Sequence, residues 1–205
     1  MLDWLLAHWT EILGFVSGAL CVYFAATRNI WTFPIGLASN IVFFEVFFQA
    51  QLYADAGLQV VYFGLGIAGW IGWVRGRAVD NKAATERMPR RYIPAILIVA
   101  LAATALLVWV LVTFTDSPTP VPDAATTTVS LVAQFLLNRR WIENWYVWIA
   151  VDVAYIALYL YKELWITAAL YLIFIALCVH GLRTWRRAPH EVVAREKEPQ
   201  SASAI

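Results

Sequence analysis

The side chains of this sequence best equipped for chemistry lie inside its apolar stretches. Trp145, Trp148, Asp152, Tyr155 and Tyr159 follow one another at spacings of three, four, three and four. On a helix they form a single stripe of indoles, phenols and one carboxylate. Thr127, Ser130 and Gln134 recur at i, i+3 and i+7 and share a face in the same way. Gln59 and Tyr62 are three apart in another stretch, and Asn40 lies within a fourth. At helical rise, Asp152 sits about 16 Å inward of Trp141 and Asn40 about 14 Å inward of Trp31. Hydroxyl, amide, carboxylate and aromatic groups thus reach one level. Together they suit a polar, planar ligand whose ring stacks on Trp or Tyr while Asn, Gln, Ser and Asp hydrogen-bond the rest.

Each of these residues also has a plainer use. Trp4, Trp9, Trp31, Trp109, Trp141, Trp165 and Trp185 read as an aromatic belt at the membrane surfaces. Trp148, two turns inward of Trp141, fits a belt poorly. Thr127, Ser130 and Gln134 could bond between helices, and Asp152 could partner Asn40 or a tyrosine. Glu45 is as suited to pairing as to guiding a cation, and His180 reads as packing near one end. The run Gly64-Leu-Gly66-Ile-Ala-Gly69 spells GxGxxG. It lies in an apolar helix with no strand before it, so it reads as helix packing, as do Gly14 and Gly18. His8, His180 and His190 stand apart, without the paired His and carboxylate set of a membrane-embedded enzyme. No metal or cofactor is expected.

The elements that must position these groups follow from composition. Of 205 residues, 61% are hydrophobic and only 14% charged, against about 25% charged in soluble domains. That excludes a water-soluble fold, a disordered chain and a nucleic-acid binder, and two cysteines build no disulfide framework. An all-α integral membrane protein remains. Apolar runs long enough to cross a ~30 Å core fall at 10–27, 31–50, 53–74, 91–114, 124–139, 141–161 and 164–184. With seven crossings and the C-terminus inside, every Lys and Arg except Lys162 falls on the cytoplasmic side. This predicts an N-terminus outside and a C-terminus inside. No basic residue precedes the first run, so a cleaved signal peptide is not expected. Residues 76–90 read as a basic linker, and 188–205 as a disordered cytoplasmic tail following one transmembrane domain at 1–187.

Laying Glu11–Trp73 over Asp123–Trp185 without a gap brings three runs and their breaks into register. It matches Arg28 with Arg140, Ile30 with Ile142, Gly69 with Gly181 and Trp73 with Trp185. We expect parallel repeats at 11–74 and 123–185, with the helix at 91–114 inverting the chain between them. Such an arrangement holds a ligand near midplane between the repeats.

Larger segments then become familiar. Leu52-Tyr-Ala-Asp55-Ala-Gly-Leu-Gln59-Val-Val-Tyr62, the 123–134 run, and Glu143-Asn144-Trp145-Tyr-Val-Trp148-Ile-Ala-Val-Asp152 resemble the PnuC-type vitamin transporters over about residues 11–187. The resemblance implies a three-one-three helix fold like that of the SWEET sugar transporters, a bacterial inner-membrane location and a homotrimer within the lipid. It also implies facilitated diffusion of nicotinamide riboside, trapped inside by phosphorylation. By matching motif positions, it makes Gln59, Tyr62, Thr127, Gln134, Asn144, Trp145, Trp148 and Asp152 ligand candidates. Ser130 and Asn40 join them from the depth argument alone. Nicotinamide riboside is a pyridinium cation, which aromatic faces attract by up to ~2 kcal/mol when desolvated. Basic residues stand only at the ends of the spans, and none lies near midplane to hold the phosphate of a mononucleotide. Thiamine is also an aromatic cation and stays open, as do proton coupling through Asp152 or Glu45 and a structural or sensor role.

Overall fold

Apolar runs of membrane-spanning length must satisfy their backbone internally, and helices do so within one segment. The computed structural model describes residues 9–49, 53–75, 85–115, 119–161 and 165–197. Among them are seven α-helices and no strand: α1 Trp9–Ala26, α2 Thr32–Gln49, α3 Tyr53–Arg75, α4 Ile93–Phe114, α5 Pro120–Asn138, α6 Asn144–Tyr161 and α7 Trp165–Lys197. A 3₁₀ turn, Arg90–Tyr92, leads into α4.

Three boundaries differ from the apolar runs. Helix α5 begins at Pro120 rather than 124, because prolines preset the dihedral of a first helical turn and need no N–H there. Helix α6 begins at Asn144 rather than 141, because Arg140 adopts a left-handed conformation, φ 60°, that ends α5. Helix α7 continues through Lys197, where the composition suggested disorder from 188. Extending an existing helix costs far less than starting one, and Ala, Glu, Arg and Lys all propagate it well. Residues 198–205 and most of the linker lie outside the described residues.

Within each triplet the helices pack in sequence order, α1 on α2 on α3 and α5 on α6 on α7. Between triplets, α1 meets α7 and α3 meets α5. Helix α4 packs on α5 and buries none of its own residues. Residues 85–89 run beneath the second triplet. Glu86 exchanges backbone bonds with Arg140 and Ile142, Met88 N–H donates to Glu143 Oε2 at 2.8 Å, and Thr85 Oγ1 donates to the Trp185 carbonyl.

Details recur at equivalent positions of the two triplets. Arg28 and Arg140 both have φ 60°. Each donates its N–H to a carbonyl three residues back, at Ala25 and Leu137, while the next N–H reaches back to Phe24 or Leu136. This is the Schellman closure, formed here without the usual glycine. Phe33 meets Trp73 edge-to-face, and Trp145 meets Trp185 likewise.

Candidate functional site

Between the triplets lies a cavity of about 310 Å³, at the lower end of the roughly 300–1,000 Å³ typical of small-molecule sites. Five helices give it polar or aromatic groups: Asn40 from α2, Tyr62 from α3, Gln134 from α5, Trp145, Trp148, Asp152 and Tyr155 from α6, and Tyr171 and Phe174 from α7. Among the described residues, no Lys, Arg or His lines it. Its walls are mostly apolar and aromatic, with a few polar atoms placed among them.

Six of the ten ligand candidates meet here, Asn40, Tyr62, Gln134, Trp145, Trp148 and Asp152, together with Tyr155 of the same stripe. The other four do not line the cavity. Asn144 is wholly buried at the start of α6, and its amide donates to the Trp141 carbonyl at 2.6 Å. Ser130 is buried on α5 next to Tyr62 of α3. Gln59 and Thr127 are half-buried elsewhere on α3 and α5. Glu45 is exposed, and Tyr159 lies among side chains outside those described.

The polar groups that line the cavity are held rather than loose. Asp152 is buried and accepts from Cys178 Sγ at 3.6 Å. Asn138 donates to the Leu65 carbonyl at 2.8 Å, which turns its Oδ1 toward the Gln134 amide at 3.0 Å. Gln134 thus commits an N–H to Asn138 and keeps its carbonyl oxygen for another donor. Trp145 lies flat on α7 because position 181 is glycine; a Cβ there would stand 2.5 Å from the indole.

The chain's relatives bear on what fills this space. Residues 8–187 match the sequence model of the family described as nicotinamide mononucleotide transporter. The chain belongs to that family. It is 25% identical to the nicotinamide riboside transporter PnuC of Escherichia coli K12, over 89% of this chain and 87% of that one. It is 27% identical to the riboflavin/roseoflavin transporter RibM of Streptomyces davaonensis, over 86% and 84%. Its fold matches the crystal structure of the vitamin B3 transporter PnuC with a TM-score of 0.71, at 22% identity, over 88% of this chain and 82% of that one. This member of the nicotinamide mononucleotide transporter family is therefore a membrane protein of a vitamin-transporter lineage.

In this family member the cavity rests on an apolar floor. Ala26, Trp73, Ile142 and Trp185 close its underside together with the cavity residues Ala25, Phe33, Leu137 and Trp145. Trp73 and Trp185 are 1% and 0% exposed. This overturns the belt reading for Trp185, and for Trp141, which is 6% exposed beneath Tyr92. Trp31 and Trp109 remain exposed. Trp185 is buried against Ala25 of the opposite triplet, and Trp141 against Tyr92 and Phe135. Sequence reasoning also missed Asn138, although it lies four residues beyond Gln134 on the same face. It missed α7 as well, where Tyr171, Phe174, Cys178, Gly181 and Trp185 repeat at three and four.

Proposed function

We propose that this protein imports nicotinamide riboside by uncoupled facilitated diffusion, with later phosphorylation in the cell trapping the product. The observation that carries this reading is a cavity walled by Trp145 and Trp148, with one buried carboxylate, Asp152, and no basic side chain. Indole faces attract a pyridinium ring, and the carboxylate balances its charge. The Gln134 carbonyl oxygen accepts from the carboxamide, while Asn40 and Tyr62 reach the ribose hydroxyls. A phosphate would enter next to Asp152 with no cation to meet it, so the mononucleotide is excluded despite the family's description.

The two helix triplets act as parallel repeats about an axis along the membrane normal and rock around the ligand. The basic loops around Arg28 and Arg140 face the cytoplasm of a bacterial inner membrane, the N-terminus faces outside, and the exposed α4 serves lipid or a homotrimer contact.

The relationship to RibM favours a second reading, a flavin carrier, which the modest cavity volume opposes. Titration calorimetry on detergent-purified protein separates the possibilities with nicotinamide riboside, its mononucleotide, nicotinamide, thiamine and riboflavin. We expect nicotinamide riboside to bind tightest and the mononucleotide about a hundredfold more weakly, or ~2.7 kcal/mol. Preference for riboflavin or thiamine sinks the substrate assignment. Liposome uptake that stops when the pH gradient collapses sinks the uncoupled mechanism.

A further inference from the structure

The floor that seals the cavity is sewn across the two seams where the triplets meet, and the stitches are not equal. Trp73 Nε1, on α3, donates to the Leu137 carbonyl of α5 at 3.2 Å. Trp185 Nε1, on α7, donates to the Ala25 carbonyl of α1 at 3.0 Å. Those carbonyls also accept the N–H of Arg140 and of Arg28, so both lone pairs of each oxygen are engaged. Ala25 and Leu137 line the cavity. Each indole therefore fixes the cavity's lower edge to the opposite triplet. Arg140 donates to the Gly72 carbonyl at 2.8 Å, and its equivalent Arg28 is also engaged. What distinguishes the α3–α5 seam is Asn138, which donates to the Leu65 carbonyl at 2.8 Å. The position equivalent to Asn138 on the other seam is Ala26, which has no side-chain donor.

We infer that the α1–α7 seam is the gate that parts when the cavity opens toward the Arg28 and Arg140 loops, that the Trp185–Ala25 bond is its latch, and that the α3–α5 seam is the hinge. This rests on the transporter reading and adds which seam moves. A rocking motion opens where the closure is weaker, and among the described residues the α1–α7 seam has no counterpart to the Asn138 amide. The Asn138 amide crosses its seam to the Leu65 carbonyl, and the Gln134 bond within α5 holds it in that orientation. The paired tryptophans are matched in ring packing, so the difference lies in the polar bonds around them.

The chain's own cysteines report on the opening. Cys21 and Cys178 both line the cavity and are its two cysteines. In sealed vesicles of known orientation, a membrane-impermeant maleimide is applied from the side of the Arg28 and Arg140 loops without ligand, and labelling at each cysteine is read by mass spectrometry. Trp185→Phe keeps the ring and removes the donor. Losing about one net hydrogen bond should raise the labelling rate about fivefold. Trp73→Phe should change it less than about twofold, because Asn138 still holds that seam. Adding Asn138→Ala to Trp73→Phe should bring the rate up to that of Trp185→Phe. Equal rates for the two single variants, a faster Trp73→Phe, or no rise in Trp185→Phe overturns the assignment. Should Trp185→Phe fail to fold, the Trp73→Phe, Asn138→Ala pair decides the matter: a rate at least about twofold above that of either single change supports the assignment, and no rise above them overturns it. No ligand enters this measurement, so failure of the substrate assignment leaves its result intact.

Discussion

The floor and the walls of the cavity are built from the same helices, yet equivalent positions of the two triplets agree in one and diverge in the other. On the floor, Trp73 answers Trp185, Phe33 answers Trp145, and Gly69 answers Gly181, with matching ring geometry and matching bonds to a carbonyl. In the walls, Trp148 corresponds to Gly36, Asp152 to Asn40, and Cys178 to Gly66. The second triplet thus supplies bulk and charge where the first supplies space and an amide. The proposed ligand, with a ring at one end and a sugar at the other, has no two-fold symmetry, and the walls have none either. A closure between two like bodies carries no demand for asymmetry. Likeness between equivalent positions persists in the tryptophan closure, Asn138 against Ala26 apart, and is lost in the walls of the cavity.

This contrast is most exposed at Trp148. Trp148→Ala removes the larger half of an unmatched pair and should weaken nicotinamide riboside binding about a hundredfold, the loss of a desolvated cation–π contact and its buried area. Gly36→Ala adds a Cβ with only Cys21 Sγ nearby, at 3.7 Å, and should change affinity less than about twofold. Calorimetry on the two variants checks both, and equal losses would erase the distinction between the walls. Next in size is Asp152→Asn, which makes that position chemically like Asn40. It should cost about tenfold in affinity for the riboside, or ~1.4 kcal/mol, and leave neutral nicotinamide nearly unaffected. A parallel loss for nicotinamide would mean that the carboxylate acts through structure rather than charge.

How much of this was legible beforehand depended on how unfavourable each residue is in hydrocarbon. Asp152, Gln134 and Asn40 stood out because a polar side chain there is costly unless it faces a cavity or a partner. Seven helices were readable from length and hydropathy for the same reason. Tyr171, Phe174 and Cys178 gave no such signal, since aromatic and thiol groups on an apolar helix sit as comfortably in lipid as in a binding wall. Trp185 was misplaced because its neighbours Arg183 and Arg186 mark a membrane surface, and only the opposite triplet decides whether an indole there meets lipid or protein. Asn144 looked like a ligand by motif; its amide is taken up by the Trp141 carbonyl at the helix start. The bond of Asn138 to α3 spans 73 residues, and no local pattern announces a contact that long.

The smallest expected effects test the matched floor. A Cβ at Gly69 would stand 2.6 Å from the Phe33 ring and overlap the Asn138 amide, and one at Gly181 would stand 2.5 Å from Trp145. Neither ring has room to yield, because each already packs edge-to-face on a buried tryptophan. Gly69→Ala and Gly181→Ala should therefore each destabilise by about 1 kcal/mol through overpacking, lowering the melting temperature in detergent by about 2–4 °C. Gly57→Ala, with nothing within 4 Å of its Cβ, serves as the control and should lower it not at all. Affinity should then part the pair, since Gly181→Ala tilts the indole proposed to hold the ligand ring, whereas Gly69→Ala displaces Phe33 and the Asn138 amide, which reaches the ligand only through Gln134. Equal melting shifts with unequal binding is the pattern that a matched seal beneath an asymmetric site requires. Unequal melting shifts with equal binding would mean that the likeness between the triplets is decorative, and that floor and walls obey one rule.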